Sequence, residues 1–179
     1  RYLEDTNVLE TRFLTGDSTY SGATTLSAGT LQLGNGGTTG SIMGDIVNNG
    51  VLIINRSGNT LLPGTLSGTG ALTMAGSGTL SLTGANTYSG TTTISSGVLN
   101  IQNNTALGSI ASSATVASGA ALEFQNNITL GAKPLSIAGT GVSNGGALRN
   151  ISGNNTVNGA VTLTAASRIN SDSGTLALN

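Results

Sequence analysis

Three observations predict an all-β protein, a β-solenoid of about seven or eight coils. The segments 19–33 and 87–101 are identical at nine of fifteen positions, as expected for an array of similar units. A shorter glycine–leucine pattern recurs through most of the chain. No segment has the three- and four-residue apolar spacing of a helix, where each glycine would cost about 1 kcal/mol.

The shorter pattern places Leu-x-apolar one or two residues after a glycine, as in the segments 29–33 and 97–101. Alternation of apolar and polar side chains is typical of a half-buried strand, so the polar residues between are expected to face water. We predict strands of three to six residues joined by Gly, Asn, Ser and Thr turns. The glycines of the pattern are Gly29, Gly50, Gly70, Gly78, Gly97, Gly119 and Gly174, with an imperfect copy at Gly146.

A sandwich or a closed barrel also fits short strands with turns. A solenoid explains the repeated register better, because equivalent positions of successive coils stack about 4.8 Å apart. Leucine is then expected on leucine, and asparagine on asparagine, at the turns. With roughly 20–25 residues in a coil, the two copies of the long repeat would lie three coils apart, in a rod about 35 Å long.

The repeated strings resemble the passenger-associated transport repeat of bacterial autotransporters. The likeness is carried by residues 86–101, by the matching string from Thr19, and by Gly40-Ser-Ile-Met-Gly-Asp-Ile-Val-Asn-Asn-Gly-Val-Leu52. It continues from Thr105 to Asn155 and covers roughly residues 17–179. The resemblance implies an adhesin-like, right-handed parallel β-helix displayed on a Gram-negative cell surface, outside the outer membrane.

Residues 1–17 do not fit this pattern, because they hold six of the 13 charges and one glycine. We predict two regions: an atypical amino-terminal strand, cap or linker at 1–17 and a solenoid repeat segment at 18–179. A solenoid end has unpaired backbone groups that invite another chain. If this segment covers a neighbour's end, subunits join head to tail into fibres. The candidate end-to-end contact strand holds Val8, Leu9, Phe13 and Leu14.

Composition excludes several kinds of chemistry. The chain has no histidine and no cysteine, so it lacks catalytic triads and dyads that need them and imidazole or thiolate metal ligands. Its six basic residues are scattered, which argues against a nucleic-acid partner. No apolar run approaches the roughly 20 residues of a membrane-spanning helix. We predict no catalytic, cofactor-binding or metal-binding residues.

A few weaker features remain. After residue 17 the acids are Asp45, Glu123 and Asp172, far apart in sequence, and solvated surface charge is the favoured interpretation over a pair for glycoside hydrolysis. The glycine-rich run 34–40 lacks the lysine and the helix of a phosphate loop and is interpreted as a turn. Tyr20 and Tyr88 occupy equivalent repeat positions, either as ligand-stacking aromatics or as rings packed over a coil corner.

The function predicted from these residues is structural and adhesive. The chain is expected to act as a stalk, adhesin body or fibre subunit, without enzymatic activity, and to contact a host or surface glycan or protein. Two alternatives stay open: a carbohydrate-binding solenoid module that uses both tyrosines, and a polysaccharide-acting enzyme.

Overall fold

The computed structural model describes residues 10–179 and, for Tyr2 and Leu3, the backbone. Within those residues the regular structure is strand, apart from one 3₁₀ turn at Val142–Asn144. No helix there has the length and apolar character needed to cross a membrane. The strands are β1 Tyr2–Leu3, β2 Thr11–Leu14, β3 Thr24–Leu26, β4 Thr30–Leu33, β5 Ile46–Asn48, β6 Val51–Ile54, β7 Thr60–Leu62, β8 Leu66–Ser67, β9 Ala71–Met74, β10 Thr79–Leu82, β11 Thr92–Ile94, β12 Val98–Ile101, β13 Ala114–Val116, β14 Ala121–Phe124, β15 Thr129–Leu130, β16 Leu135–Gly139, β17 Leu148–Asn150, β18 Asn154–Val157, β19 Val161–Ser167, β20 Ile169–Ser171 and β21 Thr175–Leu178.

The strands form three faces of a parallel β-solenoid, which confirms the predicted fold. Face 1 carries the sheet β1-β3-β5-β8 and, farther along the axis, the sheet β15-β18-β21. Face 2 is the continuous sheet β2-β4-β6-β9-β11-β13-β16-β19, and face 3 is β7-β10-β12-β14-β17-β20. All neighbouring strands pair in parallel. The coils differ in length: a short coil leads from Thr11 to Thr30, and a long coil leads from Thr129 to Thr156. The strands of face 2 correspond to about eight coils, at the upper end of the prediction.

Equivalent leucines stack as expected. On face 2 the register places Leu31 beside Leu52 and Leu52 beside Leu72, all three at most 4% exposed. On face 3 the same holds for the column that begins at Leu80 and Leu99. Full burial of one such side chain contributes about 2 kcal/mol, so the stacked columns are the main source of stability.

The two copies of the long repeat lie three coils and one further face apart, so their interval is not the whole number of coils that we expected. Three coils lead along face 2 from Leu31 to Thr92, whereas the repeat equivalent of Leu31 is Leu99, on face 3. The first copy therefore spans faces 1 and 2, and the second copy spans faces 2 and 3. The repeat encodes a strand–turn–strand corner that is used at two different corners of the solenoid.

Glycines line the corners because successive coils approach too closely for a side chain. At the corner that precedes face 2, a Cβ on Gly70 would meet the carbonyl oxygen of Gly50, and one on Gly90 would meet that of Gly70. The corner that precedes face 1 has the same arrangement at Gly64 and Gly84. The glycine pattern in the sequence thus reflects the close packing of backbones in successive coils.

Strand β2 lies inside the segment 1–17 that we set apart. It pairs in register with β4, Thr11 beside Thr30 and Leu14 beside Leu33, and is the outer strand of face 2. Phe13 and Leu14, which we assigned to an end-to-end contact, thus lie on a strand paired with the chain's own solenoid along one edge. Val8 and Leu9 fall outside the described residues.

Candidate functional site

A cleft at the amino-terminal end of the solenoid brings three of the predicted site residues together. Phe13, Leu14 and Tyr20 all line it. We had predicted different roles for the two aromatic residues, an end-to-end contact for Phe13 and ligand stacking or corner packing for Tyr20. Its volume is about 730 Å³. Among the residues that the structure describes, the lining is Glu10, Thr11, Arg12, Phe13, Leu14, Ser18, Tyr20, Thr24, Leu31 and Ile42.

The cleft combines exposed aromatic rings with polar groups. Phe13 is 58% exposed and Tyr20 is 50% exposed, because strand β2 is the outer strand of its sheet and Tyr20 precedes β3 close to the same end. Leu31 and Ile42, both 4% exposed, are the buried apolar part of the lining. Large aromatic surface beside a few polar groups is a usual composition for a ligand site.

Tyr88 takes the opposite environment from its repeat equivalent. It is fully buried, and its hydroxyl forms a 2.6 Å hydrogen bond with the Thr92 hydroxyl. Burial raises the pKa of Tyr88 to about 12, since it disfavours the phenolate. The backbone of Tyr88 is bonded to the coil below at Leu66 and to the coil above at Ser109. An interior ring cannot stack on a ligand, so that role is wrong for Tyr88, and the packing interpretation holds.

Two of the three isolated acids converge on face 3. Arg149 donates to the Glu123 carboxylate at 3.1 Å and to the Asp172 carboxylate at 2.5 Å, because Glu123 and Arg149 pair in register on β14 and β17 and Asp172 directly follows the next strand, β20. Asp45 lies elsewhere and accepts the backbone N–H of Thr65 at 2.7 Å. The interpretation as solvated surface charge was therefore wrong for Glu123, which is buried, whereas Asp172 is exposed but paired with Arg149.

Burial has the largest effect on the protonation of Glu123. It raises the pKa of Glu123, although Arg149 nearby acts in the opposite direction. The hydrogen bond to Asp172 raises the pKa of Arg149. Glu123 is only 8% exposed, and Gln32 and Asn100, also predicted to face water, are similarly covered by neighbouring coils.

Hydrolysis of a glycosidic bond needs a free acid and a free base on either side of the substrate, whereas here one guanidinium occupies both carboxylates.

In the glycine-rich run 34–40, backbone carbonyl groups contact a cation, whereas in a phosphate loop backbone N–H groups contact an anion. Arg56, 7% exposed, donates to the carbonyl oxygens of Gly40, at 3.1 Å, and Thr38. A phosphate loop directs backbone N–H groups inward, but this one directs carbonyl groups at a cation. Asp17 adds a 3.5 Å ion pair with Arg56 and accepts the N–H of Gly40 at 3.0 Å. The run is a fixed turn around a buried arginine.

Two residues with strong structural roles were missed in the sequence. Lys133 is fully buried and donates to the Ser109 carbonyl oxygen at 2.7 Å and to the Ser112 hydroxyl at 3.0 Å. Asn86, 3% exposed, connects two neighbouring coils through its side-chain amide. Asn86 opens the repeated string 86–101 and Lys133 belongs to no motif, but in both cases only the register of the coils reveals the contacts.

Comparison with known proteins agrees with the repeat pattern. The passenger-associated-transport-repeat family matches residues 11–33 and 72–101. The first match begins at Thr11, so the family pattern includes part of the segment 1–17 that we had excluded.

The chain is also similar to the Adhesin BmaC autotransporter of Brucella suis biovar 1 (strain 1330), with 63% identity over 83 residues. Those residues are 46% of this chain and 2% of that protein, so the chain spans only a small part of its relative. No solved structure matches the chain significantly. Together with the three-faced solenoid, the two matched repeats and this similarity support the assignment of the chain to an autotransporter passenger domain with passenger-associated transport repeats.

Proposed function

We propose that this solenoid is an adhesive passenger segment displayed outside a Gram-negative outer membrane, where it serves as a stalk or as the body of an adhesin. The observation that carries the proposal is the 63% identity, over 83 residues, to a protein named as an adhesin autotransporter. The partner is a host or surface glycan or protein. The segment is not an enzyme in this proposal, which the pairing of Glu123 and Asp172 with one arginine supports.

The mechanical part of this function follows from the hydrogen-bond direction. Backbone hydrogen bonds join each coil to the next, so they run along the axis of the rod. Eight coils spaced about 4.8 Å apart give a rod of ~34 Å. Each coil contacts its immediate neighbours, and the stability of the rod is therefore approximately the sum of many similar interfaces.

We place the adhesive contact in the amino-terminal cleft. Phe13 and Tyr20 expose half or more of their surface there, beside the ion pair of Glu10 and Arg12 at 4.0 Å. Aromatic faces that lie near polar groups suit a neutral sugar, which stacks its C–H face and bonds its hydroxyl groups. Tyr20, but not the buried Tyr88, is therefore the tyrosine that we propose stacks on a carbohydrate.

Beads coated with the full chain are expected to bind cultured epithelial monolayers, and the soluble protein to bind members of an immobilised neutral-glycan panel. Phe13→Ala with Tyr20→Ala should reduce both signals at least ten-fold, because the stacking surface is removed. The matched control is Ile110→Ala, which truncates an equally exposed side chain (55%) far along the axis. Adhesion without glycan binding would place the contact elsewhere; loss of neither signal in the double variant would remove the cleft from the proposal.

Head-to-tail assembly is the second part of the proposal. The last strand of face 2, β19, leaves Leu163 55% exposed, and β2 is the outer strand at the other end of that sheet. A parallel strand of a second copy would extend the sheet in the same direction. Negative-stain images at high protein concentration should show continuous filaments, and Leu163→Asp should return separate short rods. Short rods from the unmodified protein would contradict assembly.

A further inference from the structure

The corner that precedes face 2 is glycine in several coils, but two adjacent coils in the carboxyl-terminal half are exceptions, in addition to Glu10 at the amino-terminal end. Following the register from Gly70 and Gly90, the next positions are Ser112 and Lys133, after which Gly159 restores the pattern. A Cβ on Gly159 would meet the carbonyl group of Lys133, so this coil is packed directly on the lysine backbone. The two side chains of the column therefore lie on adjacent coils and face each other.

Their geometry is that of a nucleophile beside a base. The Lys133 Nζ lies 3.0 Å from the Ser112 Oγ and 2.7 Å from the Ser109 carbonyl oxygen. In this arrangement Nζ donates to Oγ, and the Ser112 hydroxyl donates to the same carbonyl oxygen at 3.2 Å, so the hydroxyl proton has to turn toward the neutral amine before it is transferred. Lys133 is fully buried, whereas Ser112 is only half-buried and is accessible from solvent. Positioning a hydroxyl within hydrogen-bond reach of an amine is the arrangement used in serine–lysine nucleophiles.

The surroundings of Lys133 favour the neutral amine. Burial lowers the pKa of Lys133 from its usual range to about 8, since the ammonium form is poorly solvated there. The two groups that contact Nζ, the Ser109 carbonyl and the Ser112 hydroxyl, carry no charge, and the coil packed on the lysine backbone contributes glycine. In the part of the chain that the structure describes, no charged group is a cause of this shift.

We propose that Ser112 is a nucleophile activated by Lys133 and that it accepts an acyl group from an activated ester. The neutral Lys133 amine takes the proton of the Ser112 hydroxyl while Oγ forms a bond to the acyl carbon. The carbon–oxygen bond to the leaving group breaks, and the alcohol or phenol leaves with the proton that Lys133 received. The product is an ester on Ser112, a covalent modification independent of the adhesive function proposed above.

p-Nitrophenyl acetate is the probe, and peptide mass spectrometry locates the acetyl group. We expect Ser112 to be acetylated at least ten-fold faster than the exposed Ser173, with a rate that rises with pH and levels off above about 8. The adduct should be removed by hydroxylamine, as an ester is. Ser112→Ala should abolish it, and Lys133→Met should slow it at least ten-fold.

Several outcomes would overturn the proposal. These are an amide adduct on Lys133 itself, equal labelling of Ser112 and Ser173, and a rate that rises in proportion to hydroxide without levelling. The pH profile is measured on the unmodified protein, so the test survives if Lys133→Met fails to fold. Lys133→Arg, which keeps the donor contacts but stays charged, should fold by circular dichroism and still lose the labelling.

Discussion

Replacement of Asn86 by alanine is expected to lower the free energy of unfolding by about 4 kcal/mol. The Oδ1 atom of Asn86 accepts the backbone N–H of Leu66 at 2.8 Å, and its Nδ2 donates to the backbone carbonyl of Ala106 at 2.7 Å. The side-chain amide thus occupies the place of a peptide group between two coils, in the interval of face 1 that lacks a strand between β8 and β15. Alanine would leave one buried donor and one buried acceptor unpaired, each costing about 2 kcal/mol.

Urea unfolding followed by circular dichroism measures this change, and hydrogen exchange at the Leu66 amide localises it. Asn86→Asp should be at least as damaging, because a carboxylate accepts from Leu66 but directs its second oxygen at the Ala106 carbonyl. Asn59→Ala is the matched control, since Asn59 is exposed. Equal stability of the Asn86 and Asn59 variants would show that water replaces the amide at no cost.

The coil number and the core were predictable from local pattern. A two-residue alternation fixes which side chains face inward, and a recurring glycine fixes the coil length, so Leu31, Leu52 and Leu72 were expected to stack. These properties depend on neighbours within a few residues. They need no knowledge of what lies on the adjacent coil.

The repeat length was misread because similarity of local sequence does not specify a face. A strand, a glycine turn and a second strand fold in the same way at any corner of the solenoid. The signal was present in the glycine pattern, where the interval from Gly70 to Gly78 is less than half of that from Gly50 to Gly70. An interval so short cannot hold a coil and marks the start of another face.

The candidate sites depended on contacts between coils, which sequence spacing hides. Tyr20 and Tyr88 have the same neighbours in sequence, yet one lies near the end of the solenoid and the other between two coils. Glu123 and Asp172 are distant in sequence but share Arg149. The different environments of the two tyrosines and the shared contact with Arg149 become visible only when the register of the strands is known.

Gly90→Ala is expected to destabilise the protein by about 3 kcal/mol. A Cβ at Gly90 would overlap the carbonyl group of Gly70 and lie 2.8 Å from the backbone nitrogen of Ala71. These are main-chain atoms of the preceding coil, so relief requires the two coils to separate. Separation lengthens the hydrogen bonds between β9 and β11, which pair in register immediately after this corner. The midpoint of urea unfolding should fall accordingly.

Gly37→Ala provides the control for the intrinsic effect of the substitution. A Cβ at Gly37 has no atom within 4 Å, and its backbone does not require a left-handed conformation, so stability should change by less than about 0.5 kcal/mol. Because both variants exchange the same two residues, the difference between them isolates the cost of the contact between coils. A Gly90 variant as stable as the Gly37 variant would mean that the corner tolerates side chains, and glycine would then mark turns alone rather than the packing that sets the coil spacing.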